Sequence, residues 1–265
     1  GFIQRATFER TSLMTHQLLG NHELTEKFDI DWGVSYNDLR ALEPDRRQVT
    51  LLPTITNEPN GPKSFALISS ASDNHRFYSE LKEEEIAANF KTSYKFKKNE
   101  DDKFDGKVTL GYSGRFKDVN FEATQFNFQI FVGSNITQPN VDPYNVDAYF
   151  NQENLNNRLY RIRTFRGTID VPGALDPQFY RGDQSIHAGY LNVEYAFSPK
   201  LTILAGLRVE QINQSIEWST AIRPTTDSNE LDSFEFLPSL SLKYEVNEKQ
   251  NLKFAASKTY TLPQY

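Results

Sequence analysis

Phe28-Asp29-Ile30-Asp31-Trp32-Gly33-Val34-Ser35-Tyr36 decides the fold class. Successive side chains of a strand point to opposite faces, so Phe28, Ile30, Trp32, Val34 and Tyr36 share one face and Asp29, Asp31, Gly33 and Ser35 the other. A helix would scatter the same set around its circumference. The alternation recurs along the chain. Val108, Leu110, Tyr112 and Phe116 oppose Thr109, Gly111, Ser113 and Arg115, and Leu191, Val193, Tyr195 and Phe197 oppose Asn192, Glu194 and Ala196. Leu201 to Val209 sets Leu, Ile, Ala, Leu and Val against Thr202, Gly206, Arg208 and Glu210. Phe236 to Val246 does the same against Ser239, Ser241, Lys243 and Glu245, and Leu252, Phe254 and Ala256 face away from Lys253. Alternation weakens over Thr11 to Leu19, and Lys258 falls on the apolar parity of the last run.

The connections alternate too. Short polar turns are expected at Gly20 to Lys27, Lys98 to Gly106, Ser198-Pro199 and Asn247 to Gln250, and long connections at Arg40 to Arg76, Val132 to Gly182 and Thr220 to Asp232. Short turns at one end and long loops at the other define an all-β, antiparallel transmembrane β-barrel portion of about eight long strands, with periplasmic turns and extracellular loops. Many of the strand patterns outrun the roughly 9–11 residues that cross a bilayer. Ser79 to Asn89 has helical propensity but is read as the first part of a strand continuing through Phe90 to Phe96. A helical turn is expected within Asp147 to Arg161.

Composition agrees. The 265 residues carry 20 Phe and 13 Tyr, yet mean hydropathy is -0.61, as expected of strands with one apolar and one wet face. A net charge of -6 speaks against a nucleic-acid partner. Without cysteine there is no thiol catalysis, zinc finger or disulfide framework. No apolar run is long enough for a membrane-spanning helix, and Gly1 to Arg5 does not begin a signal peptide.

Particular runs carry a family resemblance. Tyr180 to Glu210, with Gly206-Leu207-Arg208, and Phe236 to Tyr265, with Leu237-Pro238-Ser239, resemble consecutive hairpins of TonB-dependent outer-membrane receptors. Leu13 to Arg46, with Asp31-Trp32 and Glu43-Pro44-Asp45, resembles the bacteroidete branch. Leu262 precedes Pro263 where the family often has Arg. The resemblance implies a barrel of about 22 strands that binds a scarce nutrient and imports it with energy delivered through TonB. It implies as partners outer-membrane lipid, the receptor's own plug domain, the TonB complex and a small nutrient ligand. Plug, TonB box and a terminal strand ending in Phe are not found in residues 1–265, so the chain is read as an internal barrel fragment, 1–265. Its two open edges would favour a curved sheet over closure. A passive small outer-membrane or porin-like barrel is the alternative.

No cofactor motif, nucleophile elbow or acid/base pair is evident, so the chain is not read as an enzyme. His16, His22, His75 and His187 lack ligand spacing, so no metal site is expected. Asp101, Asp102 and Asp105 fail the calcium-loop pattern because Lys103 and Phe104 stand where oxygen ligands are needed. Arg181-Gly182-Asp183, Asn135-Ile136-Thr137 and Asn213-Gln214-Ser215 are read as chance matches to adhesion and glycosylation motifs. Asp31, Arg115, Arg208, Glu210, Lys243 and Lys253 are expected to face the lumen, because a charge at the lipid midplane costs roughly 2–4 kcal/mol. Trp32, Tyr36, Tyr195, Phe197 and Tyr244 are expected to face lipid or its interface. In the long extracellular loop Val132 to Gly182, Tyr144, Tyr149, Phe150, Tyr160, Arg161, Phe179 and Tyr180 suit a ligand-contacting surface. The same aromatics would also suit a loop that packs its own cluster.

Overall fold

The computed structural model describes residues 2–53, 63–65, 73–100, 102–130, 140–142 and 144–263. Its strands are β1 (Phe2–Ala6), β2 (Arg10–Thr25), β3 (Phe28–Pro53), β4 (Lys63–Phe65), β5 (His75–Lys98), β6 (Phe104–Ile130) and β7 (Asn140–Val141). They continue as β8 (Tyr160–Thr164), β9 (Gly167–Thr168), β10 (Gln178–Ser198), β11 (Leu201–Ser219), β12 (Asp227–Asn247) and β13 (Gln250–Ser257). All belong to one sheet, and every pairing is antiparallel. The long strands form a meander in the order β2-β3-β5-β6-β10-β11-β12-β13, matching the expected eight. Among the described residues the outer strands β2 and β13 do not pair with each other, so the sheet is open.

The turns after β2 and β12 are tighter than read from sequence, and the turn after β10 is displaced by one residue from the expected Ser198-Pro199. Glu26-Lys27, Pro199-Lys200 and Glu248-Lys249 suffice between paired strands, and each hairpin has a register shift beside its turn. Such bulges increase local twist and let short connections close on twisted strands. The fourth turn, between Lys98 and Phe104, sets Asp102 at φ +58°, a left-handed conformation that Asp tolerates better than most residues.

The expected long connections are corrected. β3 continues through Arg40 to Pro53, and β12 starts at Asp227. A register shift between Glu43 and Arg46 breaks the alternation of β3, and Pro44 within it cannot donate a ladder bond. Ser79 to Asn89 is strand within β5, and Thr11 to Leu19 is strand within β2. In the long loop α1 (Gln152–Asn156) supplies the expected helical turn, with Asn151 Oδ1 accepting the Asn154 N–H at 2.8 Å. Arg158 follows it at φ +56°. Asp101 and Asn135 to Thr137 lie outside the described residues.

The two faces differ in an unusual sense. Large apolar side chains are exposed on one face: Val34, Ile86, Phe90, Tyr94, Leu110, Tyr112, Phe116, Leu191, Phe234, Phe236, Leu240 and Phe254. Register places them together, as in the row Trp32-Phe90-Tyr112-Gly189-Val209-Phe236. On the opposite face of the same strands Ser93, Val119, Ala123, Gln184, Ile186, Ala188, Glu210 and Ile212 are buried. Polar groups lie inward and apolar rings outward, the reverse of a water-soluble sheet. We refer to these as the outer and inner faces.

On β6 the outer face is free of charge from Phe104 to Phe116, then carries Asp118. On β12 it is uncharged from Tyr244 back to Phe234, then carries Asp232. These stretches, 13 and 11 residues long, suffice for the roughly 9–11 residues needed to cross a bilayer. Past them the outer rows become charged across consecutive strands: Asp38-Glu84-Asp118-Asp183, then Arg40-Lys82-Asn120-Arg181.

Candidate ligand-facing wall

The inner wall is built from paired charges. Lys91 meets Asp31 at 3.5 Å, Lys95 meets Asp29 at 2.9 Å, Lys117 meets Glu83 at 2.6 Å and Lys243 meets Glu245 at 2.6 Å. Arg208 Nε donates to Glu210, which is 5% exposed. Arg115 donates to Gln184 at 3.0 Å, and Gln184 to Gln214 at 3.1 Å. Register and alternation put Asp31, Arg115, Arg208, Glu210, Lys243 and Lys253 on this one face. Asp31 connects to Arg208 through Lys91, Gly111 and Tyr190, and Lys243 stands opposite Lys253. Gly111 makes this arrangement possible, since a Cβ there would lie 2.1 Å from the Tyr190 ring. The ring rests against the wall, with the Arg208 guanidinium 5.8 Å from its centroid.

A cleft of about 740 Å³ opens over this row, with Asp31, Asn89, Lys91, Tyr190, Asn192, Arg208, Lys258 and Tyr260 among its lining. Farther toward the long loops, Tyr180 stacks on Phe121 with centroids 4.9 Å apart and stands opposite Trp218. Phe121 and Trp218 were not singled out from the sequence. Their signal was register, because each is an isolated aromatic on the polar parity and only pairing brings them together. Beneath them lies a second cleft of about 380 Å³, lined by Leu81, Glu83, Arg115, Lys117, Val119, Tyr180, Gln184, Leu262 and Pro263.

The loop aromatics divide between faces. Tyr160 is opposite Ile130 on the outer parity, while Arg161 is opposite Gln129 on the inner parity and donates to it at 2.7 Å. Tyr149, Phe150 and Tyr160 pack together with Phe128, at centroid distances from 4.8 to 6.2 Å. Tyr149 and Phe150 also cover Val49 and Leu51. The hydroxyl of Tyr160 donates to the Asn151 carbonyl at 3.0 Å. Phe179 lies outward beneath the Arg181 guanidinium at 4.7 Å, Tyr180 lies inward, and Tyr144 is 85% exposed.

At the turn end of the outer face Phe96 stacks on Tyr195, which meets Phe197 edge-on at 4.8 Å, and Lys97 donates to the Tyr195 hydroxyl. Trp32 covers Gly20 and donates to His22 at 3.2 Å. His16 stacks on Tyr36, and His187 contacts Tyr112, so these histidines serve separate aromatic contacts. Lys98 pairs with Asp102 and Glu26, and Lys97 with Asp105. Among the described residues no three metal-ligating side chains cluster.

An open antiparallel meander with an apolar exterior and a charge-paired interior is a barrel wall. The profile of the family described as "TonB dependent receptor-like, beta-barrel" matches residues 15–265. The chain belongs to this TonB-dependent receptor family. Among solved structures it is similar to the ferric yersiniabactin uptake receptor FyuA from Yersinia pestis, at 9% identity and TM-score 0.53, covering 91% of this chain and 27% of that one. The siderophore receptor PiuA from Acinetobacter baumannii gives 12% identity and TM-score 0.47, covering 91% of this chain and 31% of that one. The ferric citrate transporter FecA in its unliganded form gives 13% and 0.43, covering 94% of this chain and 36% of that one. The chain thus spans between 27% and 36% of the length of these three proteins. No curated protein sequence matches it.

Proposed function

We propose that this chain forms part of the barrel wall of a bacterial outer-membrane receptor that captures a scarce nutrient and imports it with TonB-coupled energy. The observation that carries the reading is the segregation of faces: exposed rings and aliphatics outward over a bilayer's depth, paired charges inward. Lipid is the solvent that makes the outer face favourable, and a water-filled or plug-filled lumen suits the inner one. The wall's work is binding and passage, not bond chemistry.

Within this reading Asp31, Arg115, Arg208, Glu210, Lys243 and Lys253 line the lumen. Arg161 and Tyr180, with Phe121 and Trp218 beside Tyr180, face a ligand arriving from outside. Tyr149, Phe150 and Tyr160 brace the long loop, and exposed Tyr144 is available to the ligand. The plug domain and the TonB complex are the protein partners, supplied by other parts of the receptor and cell. Deleting the parent gene should abolish growth on one scarce nutrient, with restoration by the full-length receptor only while the proton-motive force is intact. Restoration that persists after the force is collapsed would contradict TonB coupling.

A further inference from the structure

The apolar parity of β13 meets a misfit at Lys258. Leu252, Phe254 and Ala256 point outward, and one more step in register would place Lys258 on the same face, opposite Pro238. That position lies inside the uncharged band, where an ammonium is costly. β13 ends at Ser257 instead. After one last bond from the Lys258 N–H to the Pro238 carbonyl at 3.1 Å, the chain turns to the inner face. There Lys258 pairs with Glu235 at 3.2 Å.

The following residues continue across the wall. The Tyr260 hydroxyl donates to one oxygen of Glu210, whose other oxygen takes Arg208 Nε. Gln214 Nε2 donates to the Pro263 carbonyl at 3.4 Å. Leu262 and Pro263 then reach the cleft lined by Val119 and Tyr180. The contacts therefore pass from β12 to β11 and on to β10 and β6. Six extended residues reach about 20 Å, and the four strand spacings from β13 to β6 total about 19 Å, so the segment is long enough only if nearly straight. Ile212 lies on the inner face between Glu210 and Gln214, beneath this path, and is fully buried.

We propose that residues 258–263 are a strap fixed across the lumen wall, positioned by Glu210, that narrows the passage at that level. Whatever fills or crosses the lumen meets Tyr260, Leu262 and Pro263 before it meets the sheet. The proposal rests on the reading of the inner face as the lumen. The absence of cysteine from these 265 residues makes thiol experiments clean here.

The test uses the full-length receptor in phospholipid vesicles, with any cysteine outside residues 1–265 replaced. Nitroxides are placed singly at Lys258→Cys, at Leu252→Cys as the lipid reference and at Lys243→Cys as the lumen reference. A water-soluble nickel complex and dissolved oxygen serve as relaxants. Lys258→Cys should follow Lys243→Cys. If it follows Leu252→Cys the strap is overturned while the barrel stands, and if the two references behave alike the barrel reading falls and takes the strap with it. Gln214→Cys with Pro263→Cys should form a disulfide under mild oxidation as readily as the directly opposed Ser239→Cys with Ser257→Cys. Removing the charged hydrogen bond with Glu210→Ala should slow that trapping about tenfold, and Tyr260→Phe should do the same, without affecting the reference pair. Trapping that fails while the reference pair forms, or that ignores both substitutions, would overturn the assignment of Glu210.

Discussion

Leu240 and Ser241 are neighbours in β12, and alternation gives them opposite environments. Leu240 is 39% exposed on the apolar face, and Ser241 lies on the polar face opposite Leu204. Leu240→Arg should destabilise the barrel refolded into lipid vesicles by roughly 2–4 kcal/mol, whereas Ser241→Arg should cost well under half of that. Equal losses in reversible denaturant titrations would count against the facing. Asp45 offers a pH-dependent counterpart, well beyond the apolar band on β3. Hydrogen bonds from Arg76, opposed by partial burial and aided by Arg47, lower its carboxyl from 3.8 to about 2. A depressed carboxyl contributes stability that is fully present above its unfolded value and is lost as the pH falls through the folded one. The contribution of the pair should therefore fade between about pH 4 and pH 2. Arg76→Ala should return the Asp45 titration, followed by carboxyl carbon NMR, toward the ordinary range. An unchanged titration would show that Arg76 is not its cause.

Strand identity was legible wherever one face is apolar, because there the period of two is written in hydrophobicity. It was illegible beyond the apolar band, where neither parity keeps an unbroken apolar row. Arg40 to Pro53 and Asp227 to Asp232 project past the apolar band, and the shift between Glu43 and Arg46 further scrambles parity. Pairing, which no single strand's sequence contains, is what assembled Phe121, Tyr180 and Trp218. It also divided the loop aromatics between faces. The projecting parts make an element-scale prediction on β5, whose 24 residues exceed a bilayer crossing. In intact cells Glu80→Cys should react with a membrane-impermeant maleimide, and Phe90→Cys, ten positions along on the same face, should not. Labelling of Phe90→Cys with Glu80→Cys protected would invert the element in the membrane.

For the whole molecule, the open edges and the two faces follow from one cause. A sheet with unsatisfied edge groups and an exposed apolar face is unfavourable in water, and only a closed barrel satisfies all ladder bonds in lipid. β2 and β13 are the edges along which the rest of the receptor's barrel would continue in our reading. Lys258 illustrates how far sequence carried the account. Its wrong parity was visible, but its resolution required knowing that Glu235, Glu210 and Gln214 line up on the inner wall. The central claim is that the apolar face of this sheet meets lipid and the charged face meets the lumen. It is tested most directly by nitroxide scanning along Phe236 to Tyr244 of the full-length receptor in vesicles. Oxygen and nickel accessibilities should alternate with a period of two, with oxygen maxima at Phe236, Pro238, Leu240, Leu242 and Tyr244 and nickel maxima at the residues between. Equal nickel accessibility at both parities, or the reverse phase, would contradict the account.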